Sequence, residues 1–339
     1  DMRHNKTHVF VARSPFHLFI VKNIVGNCLD ENDIVIVFYE GRQIEWQGKP
    51  VQVEFVQLGQ YVTSKGAWAT ATDNLKTINR RLNMLEAPVS VYMTDTRWPT
   101  NNQLYFRLRG NSKYELSVFA EGLASYIDRG DRVGLAIKSL AKYLLSKIRL
   151  AAPYRPFISD NLGYLMPGFH CFYAPQADRV RVRARKVELP MRSSSLGAER
   201  RDNALLFLGQ PIEQKLPNEI DQLPILLSTI EKVKALGHAQ LFYKPHQFEG
   251  RFAQTVFSEN GFVILDQGGV FEEWVGDQWR GKAIASYFST ALATAGMLLP
   301  PEDVQLYSVE FERVAGLYLN AKDKQLLRNS LALFKCKFI

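Results

Sequence analysis

Residues 8–39 read HVFVARSPFHLFIVKNIVGNCLDENDIVIVFY, and this stretch decides the fold. His8-Val9-Phe10-Val11-Ala12 is a short apolar run that reads as a buried strand. Pro15 then opens a helix whose apolar positions, Leu18, Ile20, Val21 and Ile24, continue to about Gly26. Asp33 to Tyr39 returns to an apolar strand. A strand, a helix and a second strand in this order make a βαβ unit, whose two strands pair in parallel.

The same rhythm continues outward. Val51 to Val56 alternates with period two, a polar helix is predicted across about Trp68 to Leu85, and strands follow at Val89–Met93 and Tyr114–Phe119. The stretch from Val187 to Asn203 breaks the pattern with Pro190, three serines, Gly197 and a charged run, and reads as a linker. Beyond it the rhythm restarts. Strands are predicted at Ala204–Leu208, Ala239–Tyr243, Phe262–Leu265, Lys282–Ser286 and Val304–Tyr307, with helices near Asn218–Leu236, Arg251–Glu259 and Thr290–Met297. The expected fold is α/β: two facing, doubly wound Rossmann-like domains, residues 1–190 and 204–317. Segment 318–339 is expected to pack back on the first domain. Ligands of such sheets sit beyond the carboxyl ends of the strands, which places the expected site in the cleft between the domains.

Composition narrows the class. Of 339 residues, 46% are hydrophobic, enough for two ordinary cores, and no apolar run is long enough to cross a bilayer. Asp1 to Lys6 is polar, without the apolar core of a signal peptide. Cys28, Cys171 and Cys336 are too few and too scattered for a disulfide framework or a cysteine-rich zinc site, which fits a reducing cytoplasm. The net charge of +8 suggests a polyanionic partner: nucleic acid, anionic lipid or an acidic polysaccharide.

Candidate chemistry gathers where predicted strands end. Leu208-Gly209-Gln210-Pro211 ends one strand, and Gly209 lets backbone N–H groups approach a ligand closely. Tyr243-Lys244-Pro245-His246 delivers a lysine and a histidine at the end of another, with Pro245 fixing the turn. An imidazole there can donate to a departing phosphate. After Ser286, Ser289 is a natural N-cap, and with Thr290 and the free N–H groups of the following helix it forms an anion site. Phe119-Ala120-Glu121-Gly122 ends a strand of the first half, where a carboxylate can act as general base without a metal. Ser14-Pro15-Phe16-His17 ends the first strand; Ser14 and Pro15 suit N-cap and N1, and His17 could face the cleft. Glu272, following Gly268-Gly269, is a candidate for the ribose hydroxyls.

Arg179, Arg181, Arg183 and Arg185 alternate as if on one face of a strand, where they could track a polyanion; Lys138, Lys142, Lys147 and Arg149 recur near helical spacing. Phosphate-loop, dinucleotide, zinc-protease, paired-cysteine and G-x-S-x-G signatures are missing, as are RNA-binding aromatic motifs, and Asp95-Thr96-Arg97 lacks the second aspartate of a metal–nucleotide pair.

Taken together, Ala120-Glu121-Gly122, Lys244-Pro245-His246 and Ser289-Thr290 resemble the ordered motifs of the bacterial sialyltransferases, closest to the capsule polysialyltransferases. Ala120 stands at the first acidic position, which leaves Glu121 as the candidate base, and Gln247 stands where a proline often follows the histidine. The resemblance implies a GT-B-like fold, with 1–190 as the acceptor-binding and 204–317 as the nucleotide-sugar-binding domain. It implies an inverting, metal-independent enzyme that moves sialic acid from CMP-sialic acid to the terminal sialic acid of a growing capsular polysialic acid chain. The alternatives are a lipooligosaccharide mono-sialyltransferase or other nonulosonic-acid transferase, and a polyanionic-glycan-binding protein with a degenerate transferase fold. Glu121 and His246 would be catalytic. Gly209, Gln210, Lys244, Glu272, Ser289 and Thr290 would hold the donor; Ser14, His17 and the four arginines would hold an acidic oligo- or polysaccharide acceptor. No metal, cofactor or nucleic acid is expected. The expected location is cytoplasmic, with peripheral contact at the inner membrane and with capsule-assembly proteins. The basic, leucine-rich run Lys322–Ile339 is read as packing on the first domain, with contact to anionic lipid as its alternative.

Overall fold

A computed structural model describes residues 6–41, 53–60, 67–126, 132–148, 154–160, 162–190, 201–246, 249–265, 271, 274–275, 279, 281–299 and 302–339. The chain divides into two compact units, Asp1–Pro190 and Met191–Ile339.

The first unit is built on seven strands: β1 (Thr7–Ala12), β2 (Ile34–Tyr39), β3 (Val53–Gln57), β4 (Val89–Met93), β5 (Tyr114–Phe119), β6 (Phe169–Ala174) and β7 (Arg185–Glu188). All neighbours pair in parallel, in the order β3-β2-β1-β4-β5-β6-β7. β1 and β4 are central and buried along their whole length, which is why they read as apolar runs rather than alternating ones. Each Val or Phe sealed there contributes about 1.5–3 kcal/mol. Described helices are α1 (Pro15–Cys28), α2 (Ala67–Met84), α3 (Pro99–Leu108) and α4 (Arg132–Ile148). The order reverses between β1 and β4, the switch point where doubly wound sheets take their ligands.

Two elements escape the sequence pattern. In α3 the buried face includes Thr100, Asn101 and Asn102, so its apolar period is broken. Asn102 is satisfied inside: its amide donates to the Arg155 carbonyl at 2.9 Å and accepts the Arg155 N–H at 2.7 Å. The arginine strand is also corrected. Arg179 closes a short 3-10 turn, Ala177–Arg179; Arg181 and Arg183 lie in irregular chain; only Arg185 is in a strand. In the sheet, pairing of this segment with β6 begins only at Arg185, opposite Cys171, and runs to Glu188, opposite Ala174. All four arginines remain exposed.

The second unit carries six parallel strands: β8 (Arg201–Leu208), β9 (Gln240–Lys244), β10 (Val263–Ile264), β11 (Gly281–Ser286), β12 (Gln305–Ser308) and β13 (Lys337–Phe338). Their order is β10-β9-β8-β11-β12-β13, which reverses between β8 and β11. Its described helices include α5 (Glu219–Lys234), α6 (Arg251–Glu259), α7 (Thr290–Leu298), α8 (Phe311–Tyr318) and α9 (Ala321–Leu333). Phe207, Tyr243 and Phe257 stack at the centre, with the Tyr243 and Phe257 rings 4.1 Å apart.

Segment 318–339, expected on the first domain, is built into the sheet of the second unit. β13 pairs with β12, and the Ile339 N–H donates to the Ser308 carbonyl at 3.0 Å. Leu331 is fully buried, and Phe334 packs so close to Gly296 that a Cβ there would lie 2.6 Å from it. The unpaired edge of β12 and the small-residue face of α7 give this segment a hydrogen-bonded place in its own unit.

Candidate active-site clusters at the strand ends

In the first unit, the chain leaving β5 brings up Glu121. Its N–H is shared by two acceptors, Ser125 Oγ at 2.8 Å and Tyr164 Oη at 3.2 Å. Gly122 follows at φ +114°, a conformation that glycine supplies without steric cost and that turns the backbone away just past the carboxylate. The chain leaving β1 brings Arg13, whose guanidinium stacks 3.7 Å from the Trp98 ring centre and donates a short bond to Glu121 Oε1. His17 lies in the first turn of α1, 1% exposed, with its ring edge against Phe119. Its Nδ1 accepts the Arg13 N–H at 3.1 Å, so the ring proton sits on Nε2. Nε2 lies 3.2 Å from Glu121 Oε2, without hydrogen-bond alignment.

These neighbours set the state of Glu121. Burial pushes its pKa up, but the His17 ring, the Arg13 charge and a Thr94 hydrogen bond pull harder and bring it to about 2. The carboxylate is therefore ionised throughout the physiological range. Oε1 is taken by Arg13, whereas Oε2 is buried and accepts no hydrogen bond. Next to it, Asp95 is fully buried and holds Arg97 through both Nε, at 2.7 Å, and Nη2, at 2.5 Å. Burial raises the Asp95 pKa against the pull of Arg97, and Glu121 adds repulsion. Lys142 of α4 donates to the Arg97 carbonyl at 3.1 Å.

His17 and Ser14 thus take different places from those expected of acceptor ligands. Ser14 caps α1, its Oγ accepting the His17 N–H at 3.2 Å, and His17 is closed behind Glu121 rather than open to a ligand.

In the second unit, three strand ends are tied together. The Gly209 N–H after β8 donates to the Lys244 carbonyl of β9 at 2.9 Å. Gln210 Oε1 accepts the Phe288 N–H after β11 at 2.9 Å. Gly209, Gln210, Lys244, Phe288 and Ser289 are thereby gathered around the switch point. Ser289 caps α7, its Oγ accepting the Ala291 N–H at 3.1 Å, and Thr290 is exposed at the first helical position. Lys244 Nζ lies 5.5 Å from the Trp274 ring. Glu272 lies outside the described residues.

His246 follows Pro245 in a loop closed by a residue the sequence reading passed over. Glu249 Oε2 accepts the His246 N–H at 3.0 Å, and the Glu249 N–H donates back to the His246 carbonyl at 2.9 Å. Oε1 takes a short bond from the Tyr243 hydroxyl. A carboxylate three residues past the histidine, reaching back to its N–H, has the spacing of a capping box, and that was the available signal. Burial lifts the Glu249 pKa to about 7, against the pull of the Tyr243 and His246 hydrogen bonds. Burial lowers that of His246, opposed by the Glu213 charge, so the imidazole is neutral at neutral pH. Gly209 must be small here: a Cβ would fall 2.1 Å from Glu249 Oε2 and 2.6 Å from the Tyr243 hydroxyl. Among the described residues, no group of three or more His, Cys, Asp or Glu side chains is placed to hold a metal ion.

No protein-family profile and no curated protein sequence matches the chain. Solved structures do. An α/β-galactoside α-2,3-sialyltransferase from the luminous marine bacterium Photobacterium phosphoreum matches with TM-score 0.58 and 13% identity, covering 99% of each chain. A UDP-N-acetylglucosamine 2-epimerase matches with TM-score 0.51 and 10% identity over 96% of this chain and 86% of the other. The fold is that of the GT-B glycosyltransferases. At these identities the likeness carries the architecture and leaves the reaction to the residues at the strand ends.

Proposed function

We propose that the chain is an inverting, metal-independent sialyltransferase that moves sialic acid from CMP-sialic acid to the terminal sialic acid of a growing capsular polysialic acid chain. One observation carries the reading: Glu121 is a carboxylate held ionised at the end of a parallel strand, with Oε2 accepting no hydrogen bond. That oxygen receives the proton of an acceptor hydroxyl. The hydroxyl oxygen bonds the anomeric carbon as the bond from that carbon to the phosphate oxygen breaks, and CMP leaves with the electron pair. A carboxylate with a pKa of about 2 is a weak base. It suits an oxocarbenium-like transition state, where the hydroxyl becomes acidic only as its bond to carbon forms.

His246, neutral and steered by Glu249, donates a hydrogen bond to the departing phosphate. The phosphate monoester needs no proton to leave, because its second pKa is about 6. Lys244, the Gly209–Gln210 backbone, Ser289 and Thr290 hold the same phosphate, and Glu272 binds the ribose. The exposed Arg179, Arg181, Arg183 and Arg185 meet the anionic acceptor chain as a cluster rather than as one strand face.

The test is CMP-sialic acid with oligosialic and lactose-type acceptors, with and without excess EDTA, and products resolved by length. A ladder from the oligosialic acceptor, unchanged by EDTA and reduced about 100-fold in Glu121→Gln and His246→Ala, supports the proposal. A single addition to the lactose-type acceptor alone makes the enzyme a mono-sialyltransferase, and no CMP release from the donor with either acceptor refutes the reaction class.

A further inference from the structure

Helix α4 is turned inside out. Its inward residues include Ser139 and Ser146, 4% and 0% exposed, while Val133, Ile137, Leu140, Leu144 and Leu145 face outward, each at least 46% exposed. A surface helix normally does the reverse. Two hydrogen bonds fix this orientation. Ser146 Oγ accepts the Tyr154 N–H and Ser139 Oγ accepts the Phe157 N–H, both at 3.0 Å, so the serines serve backbone groups of the following segment. Rotating the helix to bury its leucines would orphan both donors. Val133, Ile137, Leu140 and Leu144 are spaced 4-3-4, which keeps them in one stripe along the helix.

We propose that this face docks on an anionic lipid bilayer, with α4 lying in the plane of the interface. Charge selects the occupant. The helix sequence holds Arg132, Lys138, Lys142 and Lys147 and no acidic residue, and exposed Lys138 and Lys147 flank the apolar stripe. An apolar stripe edged by cations suits headgroups and acyl chains together. A second copy fits poorly, since pairing two such faces would bring two all-basic helices together. No described helix is long and apolar enough to cross a membrane, so α4 would lie on the surface rather than span it. This goes beyond the proposed reaction and does not depend on it.

The experiment is flotation of the full chain with vesicles of equimolar phosphatidylglycerol and phosphatidylcholine, against vesicles of phosphatidylcholine alone. The chain is expected to float with the anionic vesicles, less so as salt rises. Ile137→Glu with Leu144→Glu should lower partitioning at least 10-fold at an unchanged melting temperature, and Lys138→Glu with Lys147→Glu should remove the anionic preference. Amide exchange of the unaltered chain should slow across 132–148 when anionic vesicles are added, a readout that needs no variant. Failure of the unaltered chain to float, equal flotation of the Ile137/Leu144 variant, or unchanged exchange over α4 overturns the proposal. So does a dimer in solution that the same variant dissociates without any effect on lipid.

Discussion

The Nε2 of His17 lies 3.2 Å from the Oε2 of Glu121, with the ring held from behind by the Arg13 N–H on its Nδ1. Arg13 therefore acts on Glu121 twice. Its guanidinium engages Oε1, and its backbone orients the imidazole that faces Oε2. The unit is local in sequence on one side, residues 13–17, and comes from a distant strand end on the other. Its energetics follow from a buried carboxylate compensated by a fixed cation, with an imidazole edge 3.2 Å from its other oxygen.

Acid should expose this compensation. The Glu121 pKa is depressed to about 2 in the folded chain, whereas an unfolded glutamate titrates at about 4.3. Between those values the unfolded carboxylate binds a proton and the folded one does not, so stability is present above the upper value and is lost as pH falls toward the lower one. The loss attributable to Glu121 is about 3 kcal/mol. Denaturant unfolding at pH 6 and pH 3 checks it. The stability of Glu121→Gln should fall less over this range than that of the unaltered chain, and parallel falls would show that Glu121 titrates normally.

Removing the cation should do the opposite. Arg13→Gln leaves a carboxylate that is 13% exposed without its guanidinium partner, a loss expected to cost on the order of 3 kcal/mol at pH 7. The Glu121 pKa should rise, and with it the acidic limb of any pH–rate profile. The deficit should shrink in Arg13→Gln/Glu121→Gln, because the stranded charge is gone. A double-mutant cycle in urea measures this coupling directly, and additive single effects would argue that the pair contributes nothing.

Much of this was legible before the structure. The apolar runs at 8–12, 34–39, 89–93 and 204–208 could only be buried parallel strands, and the residues at their carboxyl ends follow from topology. The Arg13–His17–Glu121 unit was not legible, because nothing in residues 13–17 says which distant carboxylate they meet. The arginine alternation misled because period two describes a strand only where the chain pairs, and pairing with β6 begins only at Arg185. The C-terminal segment misled because its leucines fit any apolar surface, while the free edge of β12 that receives it is a property of the assembled sheet. α4 hid its orientation because its serines bond backbone groups eight and eighteen residues away.

The second unit carries the reverse pH signature. Burial raises the Glu249 pKa to about 7, so between the unfolded value and pH 7 the folded chain binds the extra proton. Its contribution to stability is therefore present at low pH and lost as pH rises through about 7. Glu249→Gln keeps an acceptor for the His246 N–H without the buried charge. Its stability relative to the unaltered chain should improve between pH 5 and pH 8, by up to about 3 kcal/mol. Thermal unfolding across that range tests the sign; a relative loss would mean that the carboxylate is better compensated than its burial implies.

Gly209→Ala tests whether the same carboxylate positions His246. The new Cβ would sit 2.1 Å from Glu249 Oε2, so the carboxylate must move, and moving it breaks the bonds to the His246 N–H and the Tyr243 hydroxyl. Overpacking of this kind costs about 1–3 kcal/mol. The loss at the site should be selective. The atoms nearest the added methyl belong to Glu249 and Tyr243, so donor KM should rise little while kcat falls, because the imidazole no longer points where the phosphate departs. Glu249→Ala should reproduce that split without adding bulk at position 209. If Gly209→Ala raises donor KM and leaves kcat intact, the glycine serves phosphate approach alone and the Glu249–His246 bond is only structural.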